Sequence, residues 1–259
     1  MMLRGRYVAL GSSMAAGPGI APRVPGTPRR AGRSTRNYPH LVAGVLQLDL
    51  TDVTYSGATT ANLLYEPQHG APPQVDALRG DEALVTITIG GNDIGYVPSL
   101  MAAGLPPLLR RVPVLGPRLG SMLDLDSRDR ALGDLEESLR AVGDAVRARA
   151  PQARVLFVDS LTLLPPAPQP APPLAPVDAD LGRHLAARLH ELTAAAAAAT
   201  GCEIVGAADA SRAHHAWSAQ PWTVGARLPV PRKPAPFHPN AAGMAAVAEM
   251  VVSRVRSGQ

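Results

Sequence analysis

Residues 6–17 read Arg6-Tyr7-Val8-Ala9-Leu10-Gly11-Ser12-Ser13-Met14-Ala15-Ala16-Gly17. A short apolar run gives way to a glycine, two serines and then small residues, the signature of a strand that hands the chain to a tight turn. The same phrase recurs downstream. Residues 51–55 are followed by Ser56-Gly57-Ala58-Thr59-Thr60, and residues 83–89 by Gly90-Gly91-Asn92-Asp93. Between these runs lie helical patterns, clearest over 129–148, where Leu132, Leu135, Leu139, Val142 and Val146 recur at steps of three and four.

The rest of the chain extends the alternation. Strands are expected at 6–10, 51–55, 83–89, 154–158 and 203–207, and helices at 38–48, 129–148, 178–200 and 240–255, the last capped by Asn240. Strands alternating with helices predict an α/β fold with a parallel sheet covered on both faces. Residues 22–37 carry five arginines and no acid and read as an exposed loop, and the proline-rich 165–176 reads as a stiff surface crossover. Neither is long enough to separate domains, so one domain over 1–259 is expected, with a lid or pocket insertion at 95–121.

Composition narrows the class. Of 259 residues, 46% are hydrophobic and 18% charged, which is globular material, and aromatics at 3% leave the core to Leu, Val, Ile and Ala. The net charge of +4 invites a nucleic-acid reading, but Lys233 is the sole lysine and the arginines are scattered among prolines and alanines, so no nucleic-acid partner is expected. Cys202 is the sole cysteine, which excludes an internal disulfide. No run of 18 apolar residues and no leader-like apolar segment occurs, so the chain as written is expected to be cytoplasmic and not inserted in a membrane, or secreted if a leader has been removed.

In an open parallel sheet, loops at the carboxyl ends of adjacent strands converge on one crevice. That brings together the hydroxyl of Ser13, the backbone of Gly57 and the carboxamide of Asn92, and His238 stands just ahead of the last helix. Nucleophile, base and oxyanion donors are the parts of an acyl-transfer site. Each has a plainer alternative. Ser13 alone would serve as a helix N-cap, Gly57 as a turn glycine, Asn92 as a backbone cap, and His238 as a surface histidine. There is no Gly-x-Ser-x-Gly elbow, no His-Glu-x-x-His, no Cys-x-x-Cys pair and no P-loop, and no metal or organic cofactor is expected.

Taken together, the blocks resemble the SGNH/GDSL hydrolases, whose four residues Ser, Gly, Asn and His fall in this order. Gly11-Ser12-Ser13 matches the first block, Gly57 the second, Gly90-Gly91-Asn92-Asp93 the third and His238 the last. The flanking Asn37-Tyr38-Pro39 and His238-Pro239-Asn240-Ala241-Ala242-Gly243 are similar to the actinobacterial lipase/esterase branch. The resemblance implies a three-layer α/β/α sandwich of flavodoxin-like type on a five-stranded parallel sheet. It implies a serine esterase or lipase working through an acyl-serine intermediate, with Ser13 as nucleophile, His238 as base, and Ser13, Gly57 and Asn92 as the oxyanion hole.

Two positions depart from the family pattern. Ser12 replaces the usual aspartate and is expected to make a lesser version of its hydrogen bonds. Ala235 stands where the catalytic acid normally lies, three residues before the histidine. A Ser13–His238 dyad is therefore expected, its imidazole oriented by the Ala235 carbonyl, with Asp93, Asp159 and Asp209 as remote alternatives. His214 is expected to be structural. The apolar 95–121 stretch is expected to line an acyl pocket with Leu105, Leu108 and Leu109, the alternative being simple packing. The substrate is then a small-molecule or lipid ester. The rival readings are a thioesterase or acyltransferase sharing the acyl-enzyme, and an inactive relative that binds acyl or glycan ligands. Oligomeric state is left open.

Overall fold

The computed structural model describes residues 5–257 except 107, 109–111, 114, 231 and 232. The expected strand–turn–helix alternation forms a five-stranded, all-parallel sheet in the order β2-β1-β3-β4-β5. In chain order its elements are β1 (Arg6–Gly11), α1 (Ser13–Ala16), α2 (Tyr38–Leu46), β2 (Asp49–Asp52), α3 (Thr60–Leu64), β3 (Glu82–Thr88), α4 (Tyr96–Ala103) and α5 (Leu115–Met122). They continue through α6 (Leu125–Arg149), β4 (Arg154–Val158), α7 (Pro176–Ala199), β5 (Glu203–Val205), α8 (Ala207–Ala210) and α9 (Ala241–Ser257).

The pleat of β1 shows why two helical layers form. Tyr7 and Ala9 point to one face, where they join a buried cluster with α2 and α9. Val8 and Leu10 point to the other and join α3, α4, α6 and α7. Both faces of the strand are apolar, so both must be covered. The stripe read on α6 does the covering: Leu132, Leu135, Leu139, Val142 and Val146 are all buried. Asp124 caps that helix by accepting from the Ser127 amide, and Arg147 and Arg149 close it at the negative end of its dipole. Truncating a side chain such as Leu139 there costs about 2–5 kcal/mol.

Some boundaries move. The second strand lies at Asp49–Asp52, since those residues pair with Arg6–Ala9, while Val53 and Tyr55 still donate to the carbonyls of Ala9 and Gly11. β5 stops at Val205, because Ala207 opens α8. The arginine-rich loop is not wholly exposed. Asn37 is fully buried, caps α2 by accepting from His40 N–H, and donates to Asp52. Arg33 is half-buried and donates to the Thr54 carbonyl. No helix among the described residues is long and apolar enough to cross a membrane.

Candidate active site

The site starts at Gly11, the last residue of β1. Its φ of +145° suits glycine, and a Cβ there would fall 2.5 Å from the Thr88 carbonyl oxygen on β3. Both peptide groups of Gly11 are held by one side chain. Its N–H donates to Gln74 Oε1 at 2.7 Å, and Gln74 Nε2 donates to its carbonyl at 3.0 Å. Ser12 donates its N–H to Thr88, and its carbonyl accepts from Ala15 and Ala16. Its side chain makes no cap hydrogen bond, so the expected substitute for an aspartate is absent at the helix start. Ser13 then opens α1, which leaves its N–H without an intrahelical acceptor.

His238 meets Ser13 across the crevice, with Nε2 2.8 Å from Oγ. Its loop is clamped in a short ladder by residues 222–224. Phe237 N–H donates to the Val224 carbonyl, Val224 N–H to the His238 carbonyl and Asn240 N–H to that of Trp222. Asn240 caps α9 as expected, accepting from Gly243 N–H. The ring of His214, expected to be structural, lies flat on Trp222 with centroids 3.9 Å apart.

The orienting carbonyl is that of Pro236, not Ala235. Nδ1 of His238 lies 2.7 Å from the Pro236 oxygen, whereas Ala235 donates its own N–H to Pro18. The cause is Phe237, whose φ of +55° reverses the chain and folds the imidazole back over the carbonyl two residues upstream. A left-handed conformation in a non-glycine residue costs about 1–2 kcal/mol; here the Phe237 ring is fully buried and its N–H is bonded. A carbonyl can only accept, so a neutral imidazole carries its proton on Nδ1 and presents the Nε2 lone pair to Ser13. Burial lowers the His238 pKa below the ordinary histidine value, and the Pro236 bond offsets part of that shift.

Among the described residues, none of the three remote aspartates has a hydrogen bond to Nδ1 of His238, and each is engaged elsewhere. Asp93 accepts from the N–H and hydroxyl of Thr60, and burial raises its pKa. Asp159 accepts from Ala208 N–H and meets His190 Nδ1 at 2.5 Å, its pKa also raised by burial. Asp209 pairs with Arg212. Asn92 donates through Nδ2 to the Ala58 carbonyl at 2.8 Å, which ties the third block to the second beside Gly57, itself exposed with φ +83°. An amide nitrogen has two hydrogens, so one remains for another acceptor.

Of the expected pocket residues, Leu105 is half-buried, Leu108 stands 70% exposed and Leu109 lies outside the described residues. Neither Leu105 nor Leu108 lines the cavity of about 540 Å³ at the carboxyl ends of β4 and β5, which is walled by Tyr96, Leu161, Leu164, Pro165, Leu189 and His190. A wider groove of about 760 Å³ runs between α2 and α9, away from the site. Among the described residues, no group of three or more His, Cys, Asp or Glu side chains could hold a metal ion.

The model of the GDSL-like Lipase/Acylhydrolase family matches residues 9–246. The chain belongs to this family. As a GDSL-like acylhydrolase it is a carboxylic ester hydrolase. Lipase 2 of Streptomyces coelicolor is 35% identical over 256 residues, covering 94% of this chain and 83% of that protein. The extracellular lipase of Streptomyces rimosus superposes with a TM-score of 0.75 at 25% identity, covering 96% of this chain and 98% of that one. Phospholipase A1 of Streptomyces albidoflavus NA297 shares the fold at a TM-score of 0.78 and 23% identity, covering 97% and 98%.

Sequence reasoning missed Gln74 and the 222–224 clamp. No local pattern around either marks it, because each acts through hydrogen bonds to backbone that lies far along the chain.

Proposed function

We propose that this acylhydrolase cleaves carboxylic esters through an acyl-Ser13 intermediate with a Ser13–His238 dyad. The observation that carries this reading is the 2.8 Å contact between Ser13 Oγ and His238 Nε2. In the first half-reaction, Ser13 Oγ bonds to the ester carbonyl carbon and its proton passes to Nε2. The tetrahedral oxyanion forms beside the Ser13 N–H, the Gly57 N–H and the second Asn92 amide hydrogen. Collapse breaks the C–O bond to the alcohol, which leaves with the proton from Nε2. Water repeats the cycle on the acyl-enzyme and releases the acid.

The Pro236 carbonyl fixes the tautomer and partly stabilises the imidazolium, supplying a dipole where a triad supplies a full charge. We assign the acyl chain to the side of the site where 95–121 follows the Asn92 block, with Leu108 exposed on that segment. Secretion is the location favoured by analogy with the extracellular S. rimosus lipase.

Turnover of a nitrophenyl ester series tests the reading, with Ser13→Ala as control. The variant should lose a factor on the order of 10^4 to 10^6 in kcat with its fold intact, whereas Ser12→Ala should lose far less. A fluorophosphonate that labels a serine other than Ser13 would overturn the assignment. Partition between water and added alcohols or thiols distinguishes hydrolysis from acyl transfer.

A further inference from the structure

The charges of this chain are segregated along its sequence. Segments 12–48, 94–123 and 210–248 hold twelve of the 25 basic residues and none of the 21 acidic ones. The fold gathers parts of all three around Ser13 and His238. The turn bearing Arg29 and Arg30 is stapled to the residue before Gly57, since Ser56 donates both its N–H and its hydroxyl to the Ala31 carbonyl. The loop bearing Arg227 and Lys233 leads directly into His238. It presses on the first segment so closely that a Cβ on Gly19 would lie 2.0 Å from the Lys233 carbonyl oxygen. The 94–123 segment follows the Asn92 block and meets the 210–248 segment where a Cβ on Gly104 would lie 3.4 Å from Ala226.

Large apolar side chains stand out on the same loops. Leu228 is 78% exposed and Val230 51%, flanked by Arg227 and Lys233, and Leu108 stands on the adjoining loop. Scattered surface leucines need no explanation. Apolar tips interleaved with cations around a catalytic mouth are the pairing that an anionic lipid surface selects, since the tips enter the headgroup region while the cations meet its charge. A nucleic acid would use the cations and leave the apolar tips in water.

We infer that these loops form a docking face that seats the enzyme on an anionic lipid–water interface, with Arg29, Arg30, Arg227 and Lys233 as its charge contacts and Leu228 and Val230 as its apolar ones. The inference rests on the esterase reading for what the docked enzyme does there, but the binding itself needs no turnover.

The test is co-sedimentation of the full chain with phosphatidylglycerol vesicles and with phosphatidylcholine vesicles, beside turnover of a water-soluble acetate ester. Binding should favour the anionic vesicles and fall with added salt. Arg29→Gln, Arg30→Gln and Lys233→Gln combined should weaken it about 100-fold, at about fivefold per cation. Leu228→Ser with Val230→Ser should weaken it about tenfold or more. Both variants should keep soluble-ester turnover. Equal binding to the two vesicle types, or binding to duplex DNA without binding to vesicles, would overturn the docking face. Vesicle binding without soluble-ester turnover would leave the face standing and count against the esterase reading.

Discussion

The Pro236 carbonyl oxygen lies 2.7 Å from Nδ1 of His238, so the imidazole proposed as the base is held by the backbone of its own turn. The three aspartates that end or follow strands near the crevice are engaged elsewhere, with Thr60, with His190 and Ala208, and with Arg212. Asp93→Asn, Asp159→Asn and Asp209→Asn should therefore each lower kcat by less than about tenfold. A loss near 10^4 at any one, with the fold intact, would make that residue the third member of a triad.

Asn92 is tested separately. Asn92→Ala removes a donor aimed at charge that develops only in the transition state, so kcat should fall about 10^2- to 10^3-fold with little change in KM. A change mainly in KM would reassign Asn92 to ground-state binding. Because Nδ2 also bonds to Ala58, thermal unfolding should be followed alongside the kinetics to separate a local loss from a global one.

Burial depresses the His238 pKa, and activity requires the neutral ring, so the acidic limb of kcat/KM should lie below about pH 6.5. The same shift bears on stability. The unfolded chain takes up the His238 proton first as pH falls, so stability is complete above about pH 6.5 and declines from there down to the folded pKa. Denaturant midpoints measured from about pH 7 to pH 5 should fall less steeply in His238→Asn than in the parent. An equal slope would show that this ring does not contribute.

Gly243 sits in the first turn of α9, where alanine ordinarily stabilises a helix by about 1 kcal/mol. Here a Cβ would lie 2.2 Å from the Trp222 carbonyl oxygen, the acceptor for Asn240 N–H behind His238. Gly243→Ala should destabilise by about 1–3 kcal/mol and lower kcat by at least about tenfold. A raised Tm would show that the 222–224 clamp has room to give.

What is legible in the sequence and what is not divide along a physical line. β1, the buried stripe of α6 and the Asn240 cap are legible because each is a local pattern whose period or end signal survives folding. So are Ser13 and His238, which the sheet places at one edge once the order of blocks is recognised. The second strand falls earlier than its β-branched run suggests, because that run overlaps the loop that leaves the strand. Ala235 is favoured by the following proline, which biases it to extended backbone. That reasoning is silent about Phe237, whose positive φ moves the carbonyl contact one residue along. The distribution of charge can be read along the chain, yet the arginines look scattered until the fold brings their loops around one mouth.

Gln74 has a consequence of its own. It stands beyond the carboxyl end of β2, where that side of the sheet has no strand left to accept from Gly11, and its amide gives the Gly11 N–H its acceptor and adds a second donor to the carbonyl that Tyr55 N–H already serves. A glutamate there would keep the acceptor and lose the donor, and a leucine would leave the Gly11 N–H without a partner, since the Gly11 carbonyl still accepts from Tyr55 N–H. A survey of substitutions scored by turnover would thus rank Gln74 among the residues that do the chemistry, although it is bonded to Gly11, two positions before the nucleophile. It acts as a one-residue prosthesis for a strand that ended early.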